Sequence, residues 1–145
     1  MTLDSLRLLV RLAADESTLV RKAALTSICG LFEGNPSNDQ LQKLWLDTVL
    51  PLVGDQEATV EAKAIDSVRD VLLNGLQADA GTALPPAWTC LVHIAADADL
   101  EACLRKAIEK LVVAGDLNVN KLVKHLQQTV ETAHSSSHAV EYLRG

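Results

Sequence analysis

Aromatic side chains are scarce in this chain: two tryptophans, one tyrosine and one phenylalanine make up 3% of 145 residues, while 48% are hydrophobic. Any interior is therefore aliphatic, built from leucine, valine, isoleucine and alanine, which suit close helix packing. Long apolar runs are missing too; nothing reaches the roughly 18 consecutive residues that a membrane-spanning helix needs. The segment from Met1 to Arg11 lacks the charged head and apolar block of a secretory leader and carries Asp4 among alternating polar positions instead. Cysteines are few, odd in number and far apart, at Cys29, Cys90 and Cys103, so no disulfide framework is expected. Small buried thiols in a reducing compartment fit that usage better, and an intracellular chain without membrane association is the expectation. Positive charge is in deficit: a net charge of −6 argues against attraction of nucleic acid by the whole surface, although a local basic strip remains open.

Catalytic signatures are also missing. The chain has no glycine-rich phosphate loop, no paired cysteine motif, no HExxH and no GxSxG. Cys90 and His93 stand three apart on a predicted helix and could face one side as metal ligands, but no second pair lies nearby and a zinc site takes four ligands. Filler at a helix interface is the better reading of that pair. His125, His134 and His138 have no neighbouring cysteine or patterned carboxylate and read as solvated side chains. Ser135, Ser136 and Ser137 suit a helix-capping turn as well as a modification site. No catalytic, cofactor-binding or metal-binding residue is therefore assigned, and an enzyme ranks last among the readings.

What the chain does have is a repeat. Residues 8 to 32 hold two apolar helical stripes separated by an acidic turn at Asp15, Glu16 and Ser17, and the second stripe opens Val20, Arg21, Lys22, Ala23, Ala24. Forty residues later Asp55, Gln56 and Glu57 precede Val60, Lys63, Ala64, Ile65 and Val68 in the same register. A weaker third copy, forty-three residues on, sets Cys103, Lys106, Ala107, Ile108 and Leu111 in those places. Paired helices repeating at this period are the HEAT or armadillo signature, in which each hairpin buries its stripe only by stacking on the next. The fold class expected is all-α, an α-solenoid of seven to eight helices in a single array over residues 1–145.

The hairpins are predicted at about 3–33, 39–75 and 85–114, followed by a helix at 118–131 and a truncated one at 137–145. Leu3, Leu6, Leu9, Val10 and Ala13 mark the buried face of the first helix. Val20, Ala24, Ile28 and Leu31 mark the second, with Ser17 as its cap; Gly34, Asn35 and Pro36 stop it. Leu41, Leu44, Trp45, Val49 and Leu52 form the third stripe, bent near Pro51, and Val60, Ala64, Ser67, Val68 and Val71 the fourth. Residues 77 to 83 predict an inter-repeat loop, after which Pro85 and Pro86 suit the first turn of a fifth helix with Leu84, Ala87, Trp88, Leu91 and Ala95 on its face. Cys103, Ala107, Ile108 and Leu111 belong to the sixth, which stops at Gly115, and Val119, Leu122, Val123, Leu126 and Val130 to the seventh. Ala24, Ala64 and Ala107 fall where paired helices approach most closely. Helical pattern starts almost at Met1, and the last apolar residues, Ala139 to Leu143, have little to pair with, so both ends read as cuts through a continuing array.

The one arrangement with binding potential is basic. Arg21, Lys22, Lys63, Arg105 and Lys106 fall near the start of the second helix of successive repeats, where stacking would align them into a ladder for an acidic peptide or a phosphate backbone. Pairing of Arg21 and its counterparts with the turn acids Asp15 or Asp55 is the plainer and favoured alternative.

Three stretches carry a further likeness. Val20 to Leu25, VRKAAL, is general HEAT wording; Trp45 to Ala64, WLDTVLPLVGDQEATVEAKA, and Pro86 to Ala95, PAWTCLVHIA, are more specific. Together they resemble the D-type HEAT-repeat subunit of condensin, and condensin-2 more than its sister complex. That subunit is far longer, so the resemblance implies an internal fragment. It also implies a non-enzymatic scaffold that docks on the kleisin of an ATP-driven, chromosome-compacting ring, contributes DNA or histone contacts in the nucleus and on mitotic chromosomes, and leaves ATP hydrolysis to the coiled-coil ATPase subunits. The matching stretches are packing motifs, and no binding residue is carried over from them. A HEAT or armadillo adaptor of another complex, a nuclear-transport or phosphatase scaffold, is the alternative, since one architecture of this kind serves many partners.

Overall fold

The structure, a computed structural model, describes residues 2–76 and 86–144, with side chains described through Glu131. The loop expected at 77–83, together with Leu84 and Pro85, lies outside the described residues, as do the side chains of His134, His138 and the three serines. Among the described residues the chain is helical and has no strand.

Local signals set most of the helix ends. Thr2 accepts a hydrogen bond from the Ser5 N–H and starts α1 (Leu3–Ala13); Ser17 does the same for Val20 at the head of α2 (Thr18–Gly34), and Asn38 for Leu41 at the head of α3 (Asp39–Thr48). Pro51 has no N–H to offer the carbonyl four residues back, and the backbone tightens into a 3-10 segment over Leu50–Gly54, with Leu52 N–H bonding to the Val49 carbonyl at 3.0 Å. α4 (Ala58–Ser67) runs on through a π-helical segment, Val68–Leu73, and a last α turn, Asn74–Leu76. Gly75 then meets α5 (Pro86–Ala95) closely: a Cβ there would come within 3.1 Å of Ala87 Cβ. Asp97 caps α6 (Ala98–Val113), which begins two residues earlier than its apolar pattern suggests. That helix ends on Gly115 at φ +79, with Asp116 N–H bonded to the Leu111 carbonyl and Gly115 N–H to that of Val112, the paired bonds of a Schellman motif.

α7 corrects the expectation of two helices at 118–131 and 137–145. It is one helix, Val119–Arg144, and its backbone passes through Ser135 to Ser137 without a turn. No proline or glycine interrupts that span, and serine inside a helix costs at most about 0.7 kcal/mol relative to alanine, too little to force a break.

The helices pack in a regular order. α1 lies against α2 and α3, α3 against α5, and α2 against α4; α6 packs on α5, on the 3-10 segment and on the π segment. One hydrophobic cluster runs from Leu6 to Leu122 and is aliphatic apart from Cys90 and the rings of Phe32 and Trp45, whose centroids lie 5.7 Å apart at 52°. Positions that the repeat aligns are buried together: Ala24, Ala64 and Ala107, then Ile28, Val68 and Leu111. The fourth stripe is also in the core or against it, from Val60 through Ser67 to Val71. Several assignments shift. Leu3 and Val10, expected on the buried face of α1, and Val119, Val123 and Val130, expected on that of α7, are exposed, because Leu6 and Ala13 in α1 and Leu122 in α7 take the core. In α6 Leu104 is buried and Cys103 only half-buried, because Leu104, Ala107 and Leu111 make the tighter stripe, and in α5 Ile94 takes the core place expected of the exposed Ala95.

Candidate interaction surfaces along the helix turns

Three turns between paired helices are built alike. Asp15 Oδ1 accepts from Ser17 N–H at 2.8 Å, Asp55 Oδ1 from Glu57 N–H at 2.8 Å, and Asp97 Oδ1 from Asp99 N–H at 2.9 Å. A short carboxylate satisfies the backbone donor two residues on, which is why aspartate suits each place. The third of these aspartates was not evident from the apolar repeat, which is shifted by the longer spacing before Cys103.

Arg21 spans two of those turns. Its Nε and Nη2 bond both oxygens of Asp55, at 3.0 and 3.1 Å, and its Nη1 donates to the carbonyls of Asp15 and Glu16 at 2.9 and 3.0 Å. Its side chain is 14% exposed and that of Asp55 8%, so this is a two-pronged, largely desolvated pair joining α2 to the turn before α4. The planar guanidinium fork meets both tasks at once, which an ammonium could not.

The other four predicted basic residues are placed differently. Lys22 is half-buried on α2. Lys63 reaches back from α4 to the Thr26 hydroxyl on α2, and Lys106 reaches back from α6 over Gly54, where a Cβ would lie 3.7 Å from its Nζ. Arg105 is exposed and pairs along its own helix with Glu101 at 3.1 Å. Lys63 and Lys106, aligned by the repeat, thus make the same move onto the preceding hairpin. Sequence reasoning missed the Lys110–Glu61 pair that joins α6 to α4, and Arg69, which gathers Asp70 at 2.9 Å, Asp66 at 3.4 Å and Asp116 at 4.0 Å. The hydrogen bond to Asp70 holds the Arg69 guanidinium protonated beyond its ordinary range, against a smaller opposing effect of burial. Lys110–Glu61 and Arg69–Asp116 join residues far apart in sequence, which one-dimensional spacing does not reveal, whereas Asp66 and Asp70 are Arg69's own neighbours along the helix.

Nucleophilic chemistry finds little support here. Burial pushes the Cys90 thiol up to about 12 and also raises Cys29 and Cys103, so none is a thiolate near neutral pH. Cys90 is in the core whereas His93 is exposed, and the two do not share an environment; among the described residues no group of three or more His, Cys, Asp or Glu side chains could hold a metal. No described helix is long and apolar enough to cross a membrane.

Two grooves open beside the turns. One, of about 520 Å3, lies between α1 and α3 with Val10, Ala13, Pro51 and Leu52 along it; the other, of about 630 Å3, lies between α3 and α5 over Leu46 and Leu100. Asp47 borders both.

Comparison with known proteins adds one partial likeness. Over 62 residues the chain is 37% identical to Condensin-2 complex subunit D3-L of Xenopus laevis, a match covering 43% of this chain and 4% of that protein. The chain therefore spans a small part of the length of that relative, and the likeness is narrower than the motifs suggested. No protein-family model and no solved structure matches the chain.

Proposed function

We propose that this chain is a stretch of an α-solenoid of HEAT/armadillo-type hairpins, and that it serves as a non-catalytic scaffold of the condensin D type. The 62-residue likeness to a condensin-2 D3 subunit carries the reading. The helix neighbours support it: first helices α1, α3 and α5 follow one another, α2 lies against α4, and α6 against the π segment that continues α4, with a like aspartate turn in each hairpin. Such a scaffold acts by holding other chains.

On this reading residues 1–145 form one array that takes part in mitotic chromosome condensation in the nucleus, contacting a kleisin and, through it, coiled-coil ATPase subunits. The basic side chains at the heads of the second helices contact an acidic partner, DNA among them. Arg21 is committed to Asp55, which leaves Lys22, Lys63, Arg105 and Lys106 for that role.

The test is affinity purification of the full-length protein from dividing cells. Recovery of a kleisin and of coiled-coil ATPases is expected, whereas a karyopherin cargo or a phosphatase catalytic subunit in their place would shift the assignment to another HEAT adaptor. For the basic row, reversing charge at Lys22, Arg105 and Lys106 should weaken salt-sensitive binding of duplex DNA or an acidic peptide; unchanged affinity at low salt removes it.

A further inference from the structure

The grooves on either side of Asp47 have a chemistry opposite to that of the basic row. The floor of the first is apolar and open: Val10 is 44% exposed, Pro51 is exposed and Leu52 half-buried. With Asp55 neutralised by Arg21, five carboxylates border the pair of grooves, Asp15, Glu16, Asp39, Asp47 and Asp97, and Lys43 is the one lysine or arginine left among the described residues that line them. None of the five is in an ion pair among the described residues. Gln42, 3% exposed, stands in the wall of the second groove and is anchored there by its Nε2, which donates to the Pro86 carbonyl at 3.4 Å.

An exposed apolar strip rimmed by one sign of charge marks a contact surface, and uncompensated carboxylates beside it select the sign of what binds. We propose that the strip running from α1 across α3 to α5 docks a basic, partly aliphatic segment of a partner protein. Aliphatic side chains of that segment cover Val10, Pro51 and Leu52, while its lysines or arginines pair with Glu16, Asp47 and Asp97. Phosphate backbones are repelled by the same five carboxylates. This surface lies on the first helix of each hairpin and its turns, beside the heads of the second helices, where Arg21 is already held by Asp55; the proposal stands whether or not the chain belongs to a condensin.

The test uses the 145-residue chain and a fluorescent peptide alternating lysine with leucine, with glutamate–leucine and glutamine–leucine peptides and a DNA duplex as companions. Glu16 and Asp47 are exposed, so the double variant Glu16→Gln/Asp47→Asn keeps the fold, which an unchanged melting curve verifies. It should weaken the lysine–leucine peptide about tenfold at low salt. Val10→Gln, which alters the floor without touching charge, should weaken the same peptide, and Glu109→Gln at an exposed position of α6 should not. Equal binding by the double variant and the parent, equal binding of the glutamine–leucine peptide, or stronger retention of DNA than of the basic peptide by the parent would each overturn the proposal.

Discussion

Ser67 holds two partners that lie far from it in sequence. Its hydroxyl accepts the Trp45 indole N–H at 3.0 Å inside the core and lies 3.1 Å from the Cys29 sulfur, so one small side chain ties α4 to α3 and α2. Ser67→Ala leaves a buried indole donor without an acceptor, and should lower stability by about 1–3 kcal/mol in urea unfolding. Trp45→Phe removes the stranded donor, so it should cost less in the Ser67→Ala variant than in the parent, and a Ser67→Ala variant as stable as the parent would show that water replaces the hydroxyl. The burial of Ser67 was legible in the stripe from Val60 to Val71, but its bonds were not, because they depend on how three helices meet. Trp88 shows the other side of this: its Nε1 is buried without a hydrogen-bond partner among the described residues. Cys90 gives a pH prediction. Its thiol, held up to about 12 by burial, keeps its proton in the folded chain where an unfolded cysteine loses it from 9.0 upward. Above pH 9 the folded state therefore binds more protons than the unfolded one, and stability falls as pH rises through the window from about 9 to 12, while below it the contribution is flat. The slope is at most about 1.4 kcal/mol per pH unit. Melting temperatures from about pH 8 to 11 should fall less steeply for Cys90→Ala than for the parent, and parallel slopes would mean that Cys90 titrates as freely folded as unfolded.

Within single elements, α4 separates what pattern reveals from what it hides. Its buried alanine was legible, since Ala64 aligns with Ala24 and Ala107 and all three are buried, whereas Ala62 on the same helix is exposed. Substituting aspartate at each compares one chemistry, one helix and two environments. Ala64→Asp traps a charge and overpacks the contact, which should cost about 3 kcal/mol or more, roughly 10 °C in melting temperature; Ala62→Asp should cost about 0.5 kcal/mol, the helix propensity alone. Equal effects at the two positions would sink the register. The π segment that follows, Val68–Leu73, had no signature: no proline or glycine falls within it, and its extra residue per turn is absorbed where Val68, Leu72 and Leu73 all reach the core. Caps behaved in both ways. Ser17 starts its helix as read, but Ser135 to Ser137 do not start one, because serine favours a cap only where the backbone already turns.

At the scale of the molecule the hairpins are joined by one aliphatic core and by polar ties of unequal strength. The order of neighbours was legible from the repeat; the acidic grooves were not, since their carboxylates come from residues 15, 16, 39, 47 and 97 and meet only when α1, α3 and α5 lie side by side. Between the first and second hairpins stands the Arg21–Asp55 pair, two-pronged and mostly desolvated; between the second and third stands Glu61–Lys110, whose side chains are 23% and 39% exposed. Removing one partner of a desolvated pair strands the other, and Arg21→Met should cost about 2–4 kcal/mol, below the cost of a fully buried pair because the groove beside it admits water. Lys110→Met, acting on the more solvated pair, should cost about 1 kcal/mol or less. Trp45 in α3 and Trp88 in α5 allow the two junctions to be followed separately through single-tryptophan variants. Because the hydrophobic cluster is continuous from Leu6 to Leu122, both probes and the helical circular dichroism should trace one urea transition, shifted as a whole by Arg21→Met. A Trp45 signal that melts well before that of Trp88 in the parent chain would instead show hairpins that fold independently, and the shared interior would then have no role in holding them together.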